Sequence, residues 1–193
     1  CQEYTMPVAE TASTFNEVLT VSAAIDAAES NDEKLALIES QLSDACQIIC
    51  DIYSRYLFES AVFAARPEKF LDPDRLCQMM LEAQKKAYGD GLDQTCLHPY
   101  MWLCKGHYYS GGLSFYNFPY AFGGLFARGL YAKYQQEGKD FVPLYKKMLH
   151  ATSVTCVEDT AKIAGIDLTD KPLAAGTSSL WPMRSILFCQ LVK

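Results

Sequence analysis

Apolar residues recur at intervals of three and four along almost the whole chain, and this spacing restricts the fold more than any other feature of the sequence. The longest such run comprises Leu35, Ile38, Leu42, Cys46, Ile49, Tyr53, Tyr56 and Leu57. A helix places side chains with this spacing on one face. No segment of useful length alternates apolar and polar residues as a half-buried strand does. The sequence therefore predicts an all-α, multi-helical fold.

Proline, glycine and capping residues predict where the helices of the first half begin and end. A first helix is expected over about 8–28, and a long second helix follows a Ser-Asn-Asp break and ends before Pro67, because proline clashes with the preceding turn. Asp72-Pro73 predicts an N-cap followed by proline in the first turn. Gly89 is the expected end of that helix.

The second half of the chain shows the same helical pattern with less regular boundaries. Asp140 is a candidate N-cap, and Thr155-x-x-Glu158 fits a capping box that would start a last short helix. We predict that residues 1–170 form one helical portion. The segment 171–193 lacks amphipathic order and is predicted to be an atypical tail, either a packed extension or an altered sequence.

Composition and charge exclude several classes of protein. Half of the 193 residues are hydrophobic and 21% are charged, as in a globular protein with a substantial core. The formal net charge of −6 argues against a nucleic-acid surface, which would carry a basic patch. No apolar run is long enough for a membrane span, and the first residues given do not predict a signal peptide. We expect no nucleic-acid partner and no membrane association.

The eight cysteines do not form a disulfide or zinc framework. Only Cys46 and Cys50 are four apart on one predicted helix face, and no C-x-x-C pair occurs. Zinc-ribbon and redox-motif interpretations are therefore not supported. A reduced protein that uses cysteine as a small apolar residue is the favoured interpretation, and the predicted location is cytoplasmic.

The segment KGHYYSGGLSFYNFPY contains His107 and the densest group of aromatic residues in the chain. Its tyrosines are Tyr108, Tyr109, Tyr116 and Tyr120. One interpretation is an aromatic core stripe made pliable by glycine. The other is a polar wall, because imidazole and phenol groups donate hydrogen bonds to a developing oxyanion or a peptide backbone. His98 is interpreted as a helix-start residue, and His150 as a surface residue near a helix end.

The stretch MPVAETASTFNE places Glu10 among small and apolar residues, with Glu17 seven positions later on the same helix face. A solvated carboxylate is one interpretation of Glu10. If that face is buried, however, the carboxylate needs a metal or a charge partner, because an isolated buried ion would be neutralised. Both interpretations are open from the residues alone.

Several separated motifs together resemble the C-terminal part of the oligoendopeptidase F branch of the thimet-type zinc metallopeptidases. They are VAETASTFNE, MMLEAQKKAYGDGLD, LHPYMWLCKGHYYS and FYNFPYAFG, in the order of that family and spread over residues 6–170. The resemblance implies an all-helical metalloendopeptidase fold, a Zn²⁺ cofactor in the complete enzyme and short peptides as substrates. The family's H-E-x-x-H motif is absent from this chain.

The resemblance also implies roles for individual residues. Glu10 matches the third zinc ligand, and Glu17 matches a position that orients ligands through hydrogen bonds. The catalytic candidates are His107, Tyr116 and Tyr120, and the substrate-binding candidates are Tyr108 and Tyr109. Phe118 stands where many relatives have another tyrosine, and a phenyl ring donates no hydrogen bond.

Two functional hypotheses follow for this chain. The first is a C-terminal fragment of a zinc oligopeptidase, with the missing N-terminal half of the catalytic domain as its partner. The isolated chain would then have no peptidase activity and only weak zinc affinity. The alternative is a non-catalytic helical module that binds peptides or a partner, or half of a split enzyme. In either case an uncovered apolar face is expected to favour self-association.

Overall fold

A computed structural model of the chain describes residues 4–169 and 180–192. Within these two ranges the regular structure is helical, with no strand, which confirms the prediction of an all-α fold. The helices are α1 (Thr11–Ala27), α2 (Asn31–Cys46), α3 (Ile52–Ala65), α4 (Pro73–Tyr88), α5 (Phe118–Glu137), α6 (Phe141–Ala151), α7 (Val157–Ile163) and α8 (Leu180–Leu191). Short 3₁₀ turns occur at Met6–Val8, Met101–Cys104, Gly106–Tyr109 and Gly138–Asp140.

The long second helix of the sequence prediction is present but is not regular. Helices α2 and α3 are joined without a break by a π-helical stretch, Gln47–Asp51. The joined helix ends at Ala65, before Pro67, as predicted. The π-helical stretch has no signature in the apolar spacing, and such insertions occur frequently at functional sites.

The predicted ends of α4 are confirmed by the hydrogen bonds. An Asp72 side-chain oxygen accepts a hydrogen bond from the Arg75 backbone N–H at 2.8 Å. The helix ends at Gly89, whose φ of 58° lies in the left-handed region that favours glycine. Asp72 therefore satisfies one of the amides left unpaired at the start of a helix.

Of the two cap predictions in the second half of the chain, Asp140 is confirmed as the N-cap position of α6, and the capping box at Thr155 is wrong. The N-cap of α7 is Cys156, because the Thr155 hydroxyl donates to the Ala151 carbonyl at 2.9 Å and also bonds Thr160. These bonds take the hydroxyl away from the first turn of α7. Asp140 precedes α6 but makes no side-chain cap hydrogen bond.

The first of two compact units contains the described parts of Cys1–Ala45 and Phe122–Lys193. Its core consists of Phe15, Val18, Phe126, Ala127, Leu130, Tyr131, Phe141, Met148, Ala161, Ala164 and Ile166.

Residues 170–179 and 193, and with them much of the predicted 171–193 tail, lie outside the described ranges. The described part of that tail is α8. The division at residue 170 stays a prediction.

The second unit, Cys46–Ala121, is built around α3 and α4. Its buried core consists of Phe58, Met79, Met80 and Ala83. The 3₁₀ turns add Met101, Trp102 and Tyr108 to the edge of this core. Among the helices that the structure describes, none is long and apolar enough to cross a membrane.

Candidate functional site

An imidazole and two phenols come together in the second unit. The ring centroid of His107 lies 5.3 Å from that of Tyr116 and 6.2 Å from that of Tyr120. The two tyrosine rings are 5.8 Å apart and meet edge to face. His107 comes from a 3₁₀ turn and Tyr120 from the first turn of α5. We call these three residues the aromatic cluster.

The turn that carries Tyr116 is held by a buried carboxylate on α3. Glu59, only 5% exposed, accepts a hydrogen bond from the Phe115 backbone N–H at 2.6 Å and one from the Asn117 side-chain amide at 2.7 Å. Phe115 has a φ of 58°, and among the described residues it is the one non-glycine with a positive φ. An aromatic residue rarely adopts this conformation. Glu59 therefore binds both neighbours of Tyr116, the backbone of Phe115 and the side chain of Asn117.

Burial and hydrogen bonding act on the Glu59 carboxyl in opposite directions. Burial raises its pKa above the ordinary value, and this effect exceeds the lowering caused by the Phe115 and Asn117 hydrogen bonds and by His107. Glu59 is therefore protonated more readily than an exposed glutamate, and its charge is coupled to the cluster imidazole.

A second buried charge lies one helical turn before Glu59. Arg55, 7% exposed, forms an ion pair through Nη2 with Asp51, which is also buried. Asp51, Arg55 and Glu59 follow each other at intervals of four, so they lie along one face of the helix. Arg55 and Glu59 are functional candidates that were not predicted from the sequence. Charged residues repeated every four positions within an otherwise apolar helix were the signal that could have identified them.

A cleft opens beside the aromatic cluster within the second unit. Its volume is about 370 Å³, and its lining combines the π-helical stretch with the 3₁₀ turn of His107. The lining residues are Gln47, Ile48, Ile52, Arg55, Cys104, Lys105, Gly106, His107 and Tyr120. The size lies at the lower end of the range for small-ligand sites, so it is sufficient for part of a peptide.

The two other tyrosines of the segment are held separately. The Tyr108 ring packs on Phe58 with centroids 5.4 Å apart, and burial raises its pKa. Its hydroxyl is buried without a hydrogen-bond partner among the described residues. Tyr109 is exposed, and its hydroxyl donates to the Trp102 carbonyl at 3.2 Å. Substrate binding by these two tyrosines stays a prediction.

Glu10 and Glu17 belong to the first unit. Glu10 is the partly buried N-cap of α1, and the Ser13 hydroxyl donates to its carboxylate at 3.3 Å. Glu17 is exposed and raises the pKa of the buried Arg128, which burial lowers. Glu17 therefore interacts electrostatically with Arg128. The ligand-orienting role that the resemblance implies stays a prediction.

The residues that the structure describes do not by themselves fit a catalytic zinc ion. Such a site uses three protein ligands and leaves one position open. No group of three or more histidine, cysteine, aspartate or glutamate side chains that could hold a metal occurs in 4–169 or 180–192.

Gly123 lets α5 pass close to the backbone of Glu10. A Cβ atom at Gly123 would lie 3.1 Å from both the carbonyl carbon and the Cβ of Glu10. These distances are shorter than ordinary contacts, and the backbone of a helix N-cap has little room to move. The absence of a side chain at Gly123 therefore helps to set the position of Glu10.

Replacing Gly123 with alanine is expected to destabilise the protein by about 1 kcal/mol, because the overlap with Glu10 outweighs the gain in helix propensity. In a helix interior without that contact, the same change would stabilise by about 1 kcal/mol. Urea denaturation, followed by circular dichroism, shows whether Gly123→Ala raises or lowers the free energy of unfolding. Gly112→Ala is the control, because nothing lies within 4 Å of a Cβ at that position. An increase in stability for Gly123→Ala would contradict the close approach.

The chain has detectable sequence similarity to an oligopeptidase. The oligopeptidase PepF of Bacillus subtilis is 28% identical over 182 residues, which cover 89% of this chain and 26% of PepF. The chain thus spans about a quarter of the length of this relative. No protein-family model matches the sequence, and no solved structure matches it. The similarity to PepF suggests a distant relation to a family of peptidases, which agrees with the motif resemblance.

Proposed function

We propose that this chain is part of a peptidase that hydrolyses internal bonds of short peptides, and that it contributes the substrate-binding side of the site. The observation that carries this proposal is the convergence of the His107 imidazole and the Tyr116 and Tyr120 phenols beside a cleft of about 370 Å³. The similarity to an oligopeptidase supports the choice of peptides as the ligand.

The chemistry available to the aromatic cluster is hydrogen-bond donation. A ring N–H of His107 and the hydroxyls of Tyr116 and Tyr120 can donate to a peptide carbonyl. When a nucleophile attacks that carbonyl, negative charge grows on its oxygen, and donors already in place stabilise it most. Glu59 contributes by holding the turn of Tyr116. Gly106 leaves the cleft wall without a side chain where peptide backbone would approach.

Zinc enters this proposal as the metal of the complete enzyme, with Glu10 as one of its ligands. The remaining ligands would come from outside the residues described here. Glu10→Gln tests the assignment in the complete enzyme, where stoichiometric zinc retained after dialysis would remove Glu10 from the ligand set. For the 193-residue chain alone we propose only weak zinc affinity and no peptidase activity.

Peptide binding by the aromatic cluster can be tested directly on this chain. Fluorescence anisotropy with a labelled, unstructured heptapeptide is expected to show about 3- to 10-fold weaker binding for Tyr120→Phe, since one hydrogen bond is worth about 0.5–1.5 kcal/mol. His107→Ala is expected to weaken binding further, because it removes both a donor and a cleft wall. Tyr134→Phe, on α5 in the first unit, is the matched control. Unchanged affinity for both cluster variants would overturn the proposal.

A non-catalytic binding module is the second candidate, and an exposed aromatic face favours it. Ile49, Tyr53, Tyr56 and Phe63 are each at least 44% exposed along the joined helix. Phe115 packs over Tyr56 and Phe63. Exposed apolar surface of this kind is common at protein–protein contacts. Sedimentation of the chain over a range of concentrations, compared with Phe63→Ser, distinguishes self-association through this face from a monomer.

A further inference from the structure

The cleft beside the aromatic cluster is basic, although the protein as a whole is acidic. Its lining contains Arg55 and Lys105 as well as His107, and no aspartate or glutamate. The whole chain carries a formal net charge of −6. Two acidic groups outside the lining act on these side chains: Asp51 is bound to one nitrogen of Arg55, and Glu59 interacts electrostatically with His107. A ligand with a negative charge suits this lining better than a neutral one.

Arg55 has hydrogen-bonding capacity that the described residues do not use. Its Nη2 binds Asp51, whereas its Nε is buried and has no hydrogen-bond partner in 4–169 or 180–192. A buried, unsatisfied donor on a charged group is costly, and native structures rarely leave one without a function. A guanidinium with free donors is suited to a planar, bidentate acceptor such as a carboxylate.

Lys105 supplies a second cation at the same cleft. It is partly exposed, and among the described residues it forms no ion pair. Its ammonium is a compact charge on a flexible stem, so it can adjust to an anion in the cleft. Arg55 would set the orientation of a carboxylate, and Lys105 would add attraction.

Together these contacts suggest what the cleft binds, and the suggestion rests on the proposed peptide-binding function. We propose that the cleft formed by Arg55, Lys105 and His107 binds the C-terminal carboxylate of the peptide. A volume of about 370 Å³ accommodates the end of a peptide better than its middle. A fixed carboxylate also sets the distance from the peptide end to the aromatic cluster. The site would therefore select peptides with a free terminus close to the bond that is cleaved.

The test compares three versions of one fluorescein-labelled heptapeptide on the 193-residue chain. The first has a free C-terminal carboxylate, the second is C-terminally amidated, and the third is amidated with glutamate as its last residue. The free acid is expected to bind at least tenfold more tightly than either amide. This preference should decrease in 0.5 M NaCl, because salt screens a partly exposed charge pair. Equal affinity of the free acid and the plain amide would overturn the carboxylate site.

Variants of the protein show which residues cause the preference for the free-acid peptide. Lys105→Gln is expected to reduce the preference for the free acid over the plain amide about threefold. Lys85→Gln, an exposed lysine on α4 that does not line the cleft, is the control. In NMR spectra the Arg55 Nε–H resonance is expected to shift with the free acid but not with the amide. An unshifted resonance with saturating free acid would overturn the role of Arg55.

The outcomes separate this inference from the function on which it rests. If all three peptides bind equally and His107→Ala still weakens them, the carboxylate site is wrong and peptide binding by the aromatic cluster stands. If none of the peptides binds, the proposed function fails and the carboxylate site fails with it. Tight binding of the glutamate-ending amide would overturn the assignment to the peptide terminus.

Discussion

Replacement of Arg55 with alanine is expected to lower the free energy of unfolding by about 3–5 kcal/mol. Arg55 and Asp51 are both buried and paired with each other. Removal of the arginine leaves the Asp51 carboxylate without its partner in a poorly solvated position. Such an uncompensated charge is more costly than the lost attraction alone. Urea denaturation of the purified variant measures the loss.

A neutral pair at the same positions provides the control for the Arg55 prediction. The double variant Asp51→Asn with Arg55→Gln keeps a polar side chain at each position but removes both charges. We expect it to recover most of the stability, because replacement of a buried ion pair as a whole is often nearly neutral. If the double variant is as unstable as Arg55→Ala, the loss is due to packing of the arginine stem and not to an unpaired charge.

Replacement of Glu59 with alanine is expected to lower the free energy of unfolding by about 3 kcal/mol and to abolish the order of the Tyr116 turn. Two buried donors, the Phe115 N–H and the Asn117 amide, lose their acceptor, and each unsatisfied donor costs about 1–3 kcal/mol. The positive φ of Phe115 would then lose the hydrogen bond that the Phe115 N–H donates to Glu59. Peptide affinity should fall at least as far as in Tyr120→Phe, which the anisotropy assay measures.

Glu59→Gln separates the shape of this side chain from its charge. The glutamine carbonyl can still accept from Phe115, and a rotated Asn117 amide can accept from the glutamine N–H. Asn117 Oδ1 has no partner in the described residues at present, so the rotation breaks no other bond. We expect Glu59→Gln to retain the turn and most of the peptide affinity. Loss of both in Glu59→Gln would show that the charge itself is required.

Comparison of the unaltered protein with Glu59→Gln also predicts how the contribution of Glu59 to stability changes with pH. Burial raises the pKa of Glu59 in the folded state above its ordinary value of 4.5. The contribution of Glu59 to stability is therefore full below pH 4.5 and decreases as the pH rises through the raised pKa. The Tm of the unaltered protein, relative to that of Glu59→Gln, is expected to decrease between pH 4.5 and neutral pH. A relative Tm that increases over this range would contradict a raised pKa.

Local signals in the sequence were sufficient for most of the helices but not for the details that shape the site. The spacing of apolar residues, Asp72-Pro73 and Gly89 predicted helices that the structure contains, because these signals act within one or two turns. The π-helical stretch Gln47–Asp51 was not predicted. It changes the winding of the backbone without changing the apolar pattern around it. The capping box at Thr155 was wrong because nearby residues competed for the same hydroxyl.

The candidate site shows the same limit at longer range. The aromatic segment was recognisable from its composition, and the structure brings His107, Tyr116 and Tyr120 to one place. The support for that segment comes from Glu59, which binds residues 56 and 58 positions later in the chain. No single-sequence pattern predicts a hydrogen bond over that distance. The role of Glu10 as a zinc ligand stays a prediction, implied by the resemblance.

The sequence alone determined that this chain is helical, where several helices begin and end, and which segment has the densest group of aromatic side chains. These features depend on neighbouring residues, so they can be inferred from spacing and residue type. Only the tertiary structure decided which side chains share a site. It brought Glu59 to the turn of Tyr116, set Arg55 beside Lys105 and His107 in one cleft, and packed Gly123 against Glu10. Such contacts depend on how helices pack, and residue spacing along one helix does not contain that information.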